Sequence, residues 1–112
     1  YGVCEGRISK SRLVDLYATT PAKVNGLEKK GQLAVGFDAD VVIFDPDYEG
    51  IISVETNLEG VDYSPFEGFK QKGRPETVLL RGQKIVEDAK YIGHKGQGRF
   101  VPGKPFGASY EW

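Results

Sequence analysis

The sequence contains no methionine, one cysteine and one histidine among its 112 residues. A lone Cys4 permits neither an internal disulfide nor a cysteine-based zinc site. A lone His94 leaves any hydrolytic metal centre short of imidazoles. Charge of one sign is also missing. Fifteen Lys and Arg face sixteen Asp and Glu, for a net charge of −1, so the basic surplus of a nucleic-acid binder is absent. No apolar run approaches the ~18 residues needed to cross a bilayer, which argues against a membrane protein. Tyr1-Gly2-Val3 offers neither an initiator methionine nor a signal-like basic region. The chain is therefore expected to begin inside a longer polypeptide, one located in the cytoplasm. What is abundant is glycine, at 15 residues, against a usual share of ~7%.

The length fits one domain. After a short lead-in over 1–8, Ser9 is a plausible N-cap for a helix over about 10–19, with Leu13, Val14, Leu16 and Tyr17 recurring at three- and four-residue spacings along one side. Thr20-Pro21 reads as the cap and first position of a second, short helix. Asn25-Gly26 supplies its stop, and Val24 and Leu27 are expected to face inward. Residues 32–34 suggest a short strand between Gly31 and Gly36. The run 41–44, apolar and β-branched, reads as a strand buried on both faces and closed by a turn at Asp45-Pro46-Asp47. Residues 51–55 form another strand candidate.

The stretch 57–76 holds three glycines, two prolines, Tyr63, Phe66 and Phe69. A connection this long is uncommon unless it is functional or pinned onto a neighbour, and its rings favour pinning. Residues 77–81 and 84–88 read as a hairpin around Gly82-Gln83, a turn of the mirror-image type. The tail beyond Ala89 mixes glycines with Tyr91, Phe100, Phe106, Tyr110 and Trp112, a composition suited to docking against a surface.

Few residues suggest chemistry. His94 stands alone in a glycine-rich tail, and nothing near Cys4 marks an activated thiolate. Asp38 and Asp40, two carboxylates directly before a strand, suit a cation or an acid/base pair. They equally suit a turn in which aspartates accept backbone N–H groups. Spacing leaves both roles open, and the turn role is the commoner. Asp45 and Asp47 carry the same ambiguity. Gly93, Gly96 and Gly98 are followed by neither a Lys-Ser/Thr pair nor a helical pattern, so no phosphate loop is present. From its residues, the chain shows no catalytic, cofactor-binding or metal-ligating set of its own.

The order of motifs is nonetheless specific. The series TTPAKVNGLEKKGQLAVGFDADVVIFDP resembles the segment that closes amidohydrolase-superfamily enzymes, where the last barrel helix leads into a small β-sandwich. The second half, VDYSPFEGFKQKGRPETVLLRGQKIVED followed by GHKGQGRF, resembles the C-terminus of the cyclic amidases, the D-hydantoinase and dihydropyrimidinase group. The resemblance implies an enzyme about four times this length, built around a (β/α)₈ barrel. It also implies hydrolysis of the cyclic amides of dihydropyrimidines or hydantoins, with two divalent ions, usually zinc, activating the hydroxide.

In that family the ligands are a His-x-His pair, a carboxylated lysine, two further histidines and an aspartate, all upstream of the matched region. No such position carries over; Asp38 and Asp40 match the family's turn motif and not its metal-binding aspartate. The implied fold is mainly β with N-terminal helices. Residues 1–30 form the terminal helical segment of a barrel, 31–90 the sandwich strands (33–35, 41–44, 51–54, 77–81 and 84–87), and 91–112 a docking tail. The loop 62–68 and the tail would pack on the barrel or on a neighbouring subunit, since these enzymes are typically homotetramers. Asn25 departs from the family, which usually has a bulky apolar residue there.

The expectation is thus a structural, oligomer-forming portion of a cyclic amidase, inactive alone, whose partners are the barrel of the same protein and further copies. Two other readings are a free-standing β-rich binding module and a small enzyme built on Asp38 and Asp40.

Overall fold

A computed structural model describes residues 1–56 and 60–105. Hydrogen-bonded turns over 1–8 lead into a helix, α1, over 10–24. The helix runs without a break through an α segment (Lys10–Val14), a π turn (Asp15–Thr19) and a second α segment (Thr20–Val24). Ser9 caps it by accepting the Arg12 N–H at 3.1 Å.

The expected restart at Thr20-Pro21 does not occur. Pro21 has no N–H and its ring crowds the carbonyl four residues back, which ordinarily breaks a helix. Here the chain widens instead: the Thr20 N–H reaches the Asp15 carbonyl, five residues back, and the helix absorbs the proline through a π turn. The Thr20 hydroxyl, cast above as a cap, donates to Asp15 Oδ1 at 2.9 Å. The helix ends at Asn25-Gly26. Gly26 takes a left-handed φ of +64°, the Leu27 N–H bonds Ala22 O at 2.8 Å, and the Gly26 N–H bonds Lys23 O at 3.1 Å, the paired bonds of a Schellman motif.

Four strands follow, β1 (Val41–Ile51), β2 (Lys70–Leu80), β3 (Gln83–Glu87) and β4 (Lys90–Tyr91). They form one antiparallel meander in the order β1-β2-β3-β4. β1 is longer than expected because Asp45-Pro46-Asp47 is a bulge within the strand and not its end. The register jumps between Asp45 and Glu49, and a proline is tolerated where no ladder bond is required. Asp45 Oδ1 accepts the Asp47 N–H there at 2.9 Å.

The expected strand at 33–35 is absent; those residues lead into a turn closed by the Phe37 N–H to Ala34 O, at 3.1 Å. The one expected at 51–54 shrinks to the last residue of β1. Backbone bonds nevertheless tie Ile52 to Phe69 and to Gly68 at 2.9 Å each. The stretch 57–76, expected to lack regular structure, supplies the first half of β2 from Lys70 onward. Residues 57–59 of that stretch lie outside the described residues, as do Phe106, Tyr110 and Trp112 of the tail.

The β2–β3 turn is of the mirror-image type but sits one residue earlier than expected. Arg81 and Gly82 take φ of +49° and +79°, and Leu80 pairs with Gln83. A second such turn at Asp88 and Ala89, φ +51° and +57°, joins β3 to β4.

The sheet is apolar on both faces. Val42, Val78, Val86 and Tyr91 are register partners across the four strands and share one face. Val41 with Leu79, and Ile43 with Thr77, share the other. The expectation that 41–44 is buried on both faces fails within this chain: Val42 is 57% exposed, Ile43 50% and Phe44 50%. The reason is architectural, since α1 does not pack against any strand and no other helix or sheet covers either face among the described residues. The helix likewise leaves Val14, Leu16 and Tyr17 of its apolar side exposed, and Val24 too, contrary to the inward orientation expected of it, while Leu13 and Leu27 are half-buried. Ala22 is the one buried apolar side chain among the described residues.

Candidate functional site

The densest polar arrangement lies where the loop after α1, the turn entering β1 and the β2–β3 turn meet. A tight turn around Ala39 joins the Asp40 N–H to Asp38 O at 2.8 Å. This bond brings the two carboxylates to the same side. Between them sits the ammonium of Lys30, 2.8 Å from Asp38 Oδ2 and bonded also to Asp40 Oδ2. The other carboxylate oxygen of Asp40 accepts the backbone N–H of Arg81 at 2.8 Å, and the Gly82 N–H bonds Ala39 O at 2.8 Å. The left-handed turn at Arg81-Gly82 thus aims two successive N–H groups at the 39–40 segment. The Arg81 guanidinium continues the junction, donating to Gln97 O at 2.6 Å in the tail.

The electrostatics follow from partial burial. For Asp40, desolvation works to raise its pKa, but the hydrogen bonds from Lys30 and the Arg81 N–H, with their positive charge, outweigh it and hold the carboxyl below its ordinary value. Lys30 is the mirror case: burial works to lower its pKa, and the bonds and charges of Asp38 and Asp40 raise it above the ordinary lysine value. A carboxylate held ionised in this way is a weak general base. The Lys30 ammonium also occupies the point between the two carboxylates that a shared cation would need. Chemically the arrangement is a clamp joining three segments distant in sequence.

The other residues weighed for chemistry lie apart from it. His94 is exposed, and its backbone N–H bonds Gln97 Oε1 at 3.2 Å. Cys4 is exposed among the N-terminal turns. Asp45 and Asp47 belong to the β1 bulge. Among the described residues, no three His, Cys, Asp or Glu side chains come together to hold a metal ion, so these residues do not fit a metal centre. Among the described residues, no helix is long and apolar enough to cross a membrane. Lys30 and Arg81 carry the clamp without having been singled out from the sequence. The available signal was the Lys29-Lys30-Gly31 run near an acidic turn, which does not say which lysine is used.

The tail returns to the helix end. The Lys104 N–H bonds Gly26 O at 3.0 Å, and the Lys104 ammonium meets Glu28 Oε1 at 2.6 Å. A Cβ at Gly26 would lie 2.0 Å from the Lys104 carbonyl oxygen, so the contact needs glycine for space as well as for its φ.

Comparison with known proteins places this assembly. Residues 2–85 match the model of the amidohydrolase family. The chain is 49% identical to a D-hydantoinase of Geobacillus stearothermophilus over 108 residues, 96% of this chain and 23% of that protein. It is 50% identical to a D-hydantoinase of Ralstonia pickettii over 101 residues, 89% of this chain and 22% of that protein. Its fold matches the solved structure of a D-hydantoinase (dihydropyrimidinase) from Thermus sp. with a TM-score of 0.90 and 45% identity, over 95% of this chain and 23% of that one. The chain thus spans about a quarter of the length of the relatives it matches. Because the family match runs over residues 2–85 and the identity to D-hydantoinases extends along most of the chain, the chain belongs to the amidohydrolase family.

Proposed function

We propose that this chain is a structural and oligomer-forming portion of a metal-dependent cyclic amidase of the cytoplasm, with the catalytic groups and the metal ions held elsewhere in the enzyme. The parent reaction is hydrolysis of the cyclic amide bond of hydantoins or dihydropyrimidines. The observation that carries the reading is the bare apolar sheet within a fold that superposes on 23% of a hydantoinase at a TM-score of 0.90. A free-standing module of this length is expected to bury a core of its own, and Ala22 alone does not make one. In this reading 1–30 is the terminal helical segment of the barrel, 31–90 supplies strands of a β-sandwich, and 91–112 docks on the barrel or on a second subunit. The lack of packing between α1 and the sheet supports assigning them to different bodies.

A replacement experiment tests the proposal. The matching segment of the G. stearothermophilus D-hydantoinase is exchanged for this chain, and the hybrid is assayed on hydantoin and dihydrouracil. The expected result is an assembled, active hybrid, with the 112-residue chain alone inactive and binding no stoichiometric zinc. Hydrolysis by the chain alone that disappears in Asp40→Asn would overturn the proposal in favour of a small enzyme built on the aspartate pair.

A further inference from the structure

One side chain on the bare sheet, Arg74, carries a buried donor with no hydrogen-bond acceptor among the described residues. Tyr48, Ile51, Pro75, Val78, Val86 and Tyr91 line an open cleft that also holds Arg74. The Arg74 guanidinium stacks on the Tyr48 ring, 4.0 Å from its centroid, which fixes the group in place. Its Nε is shut off from solvent and has no hydrogen-bond acceptor among the described residues. Asp45 is its register partner across the strands, but the Asp45 carboxylate is turned to the Asp47 N–H. Any apolar body that covers this cleft would strand a guanidinium away from water, and an unpaired buried charge is strongly destabilising. The cover therefore has to bring an acceptor, and a carboxylate matches the charge and the planar donor geometry of arginine best.

We infer that the Arg74 cleft is a docking site whose occupant is a carboxylate-bearing segment of the longer polypeptide to which the chain belongs. The inference rests on the reading under Proposed function, and the occupant is placed outside these 112 residues because the relatives extend over about four times this span.

Two measurements on the full natural polypeptide and on the 112-residue chain test it. The ¹⁵Nε–H resonance of Arg74 is expected to be shifted downfield by a carboxylate acceptor in the full polypeptide, and to lack that shift in the chain alone. Arg74→Met keeps the apolar stem and removes the charge. It is expected to lower the folding equilibrium constant of the full polypeptide on the order of 10- to 100-fold, with Arg74→Lys between the two. A downfield-shifted Nε in the chain alone would place the partner within these residues and overturn the inference. So would a chain that dimerises through this face and loses dimerisation in Arg74→Met. A full polypeptide indifferent to Arg74→Met overturns the inference while the proposed function stands. Absence of any longer natural polypeptide overturns both.

Discussion

Two neighbouring regions of the chain treat their side chains in opposite ways. At 38–40 each carboxylate meets the Lys30 ammonium, and Asp40 also takes the Arg81 N–H. Two residues later, Val42, Ile43 and Phe44 leave half or more of their surface uncovered. The difference reflects the range of the forces involved. A hydrogen bond or ion pair is completed by one group at the right distance, and a loop and two turns suffice to bring it there. Burial of an apolar face needs a whole second layer, and the described residues do not contain one. The clamp is therefore self-contained, while the sheet depends on a larger body.

The largest expected effect comes from Val42→Lys, which breaks this contrast on the sheet side. In the 112-residue chain it is a surface change, worth about 0.5 kcal/mol or less. In a D-hydantoinase hybrid carrying this segment, the same lysine enters a covered layer and is expected to cost about 3 kcal/mol or more. Urea unfolding of both proteins checks it, and equal costs in the two contexts would mean that no layer covers this face.

Asp40→Ala tests the clamp. It removes one ligand of Lys30 and leaves the Arg81 N–H without its acceptor, for an expected loss of about 2 kcal/mol. Because both partners lie within the chain, the loss should be the same in the isolated chain and in the hybrid. A loss confined to the hybrid would show that the clamp depends on the larger body after all.

Titration sharpens the same point. Asp40 has a folded-state pKa below its unfolded value, so its contribution is present above the unfolded value and is lost as pH falls through the folded one. Lys30 has a raised folded-state pKa. Its contribution is present below the unfolded lysine value and is lost as pH rises through the raised one. Clamp stability is thus greatest between the carboxylate and lysine ranges. Urea midpoints followed with pH should fall on both sides of that window, and Asp40→Asn should flatten the acid side. An acid side unchanged in that variant would assign it to other carboxylates.

How far the sequence discloses this structure depends on the range of each cause. The Ser9 cap, the Asn25-Gly26 stop and the mirror-image turn near Gly82 rest on one to three adjacent residues, and their signals were legible. The π turn was not, because Thr20-Pro21 has the composition of a helix start, and only the geometry of the preceding turn tells a widened helix from a restarted one. The bulge at Pro46 was misread as a strand end for the same reason: proline, flanked by aspartates, marks both. The clamp was half legible. Asp38 and Asp40 stood out by type and spacing, whereas Arg81 contributes a backbone N–H, which any residue at that position carries. Exposure of the 41–44 run was illegible in principle, since an apolar strand reads the same with its covering layer present or absent.

The Asp88-Ala89 turn gives the smallest effect and a final test of local against distant causes. Ala89 takes φ +57°, a conformation that crowds the Cβ of any L-residue other than glycine and costs roughly 1–2 kcal/mol. Nothing in its residue type signals a turn. The conformation is held from outside the turn: the Ala89 N–H bonds Glu76 O at 2.9 Å, and the Ile92 N–H bonds Ile85 O at 2.9 Å just beyond. Ala89→Gly removes the crowding and adds chain entropy to the unfolded state, about 0.5–1 kcal/mol, for a net gain of about 0.5 kcal/mol. Because its cause is wholly local, the gain should appear equally in the chain alone and in the hybrid, read as a small upward shift of the urea midpoint. A gain in one context and a loss in the other would show that the Ala89 methyl, half-buried at the edge of the Arg74 cleft, contacts the body that covers the sheet. The turn would then belong with the dependent region and not with the self-contained one.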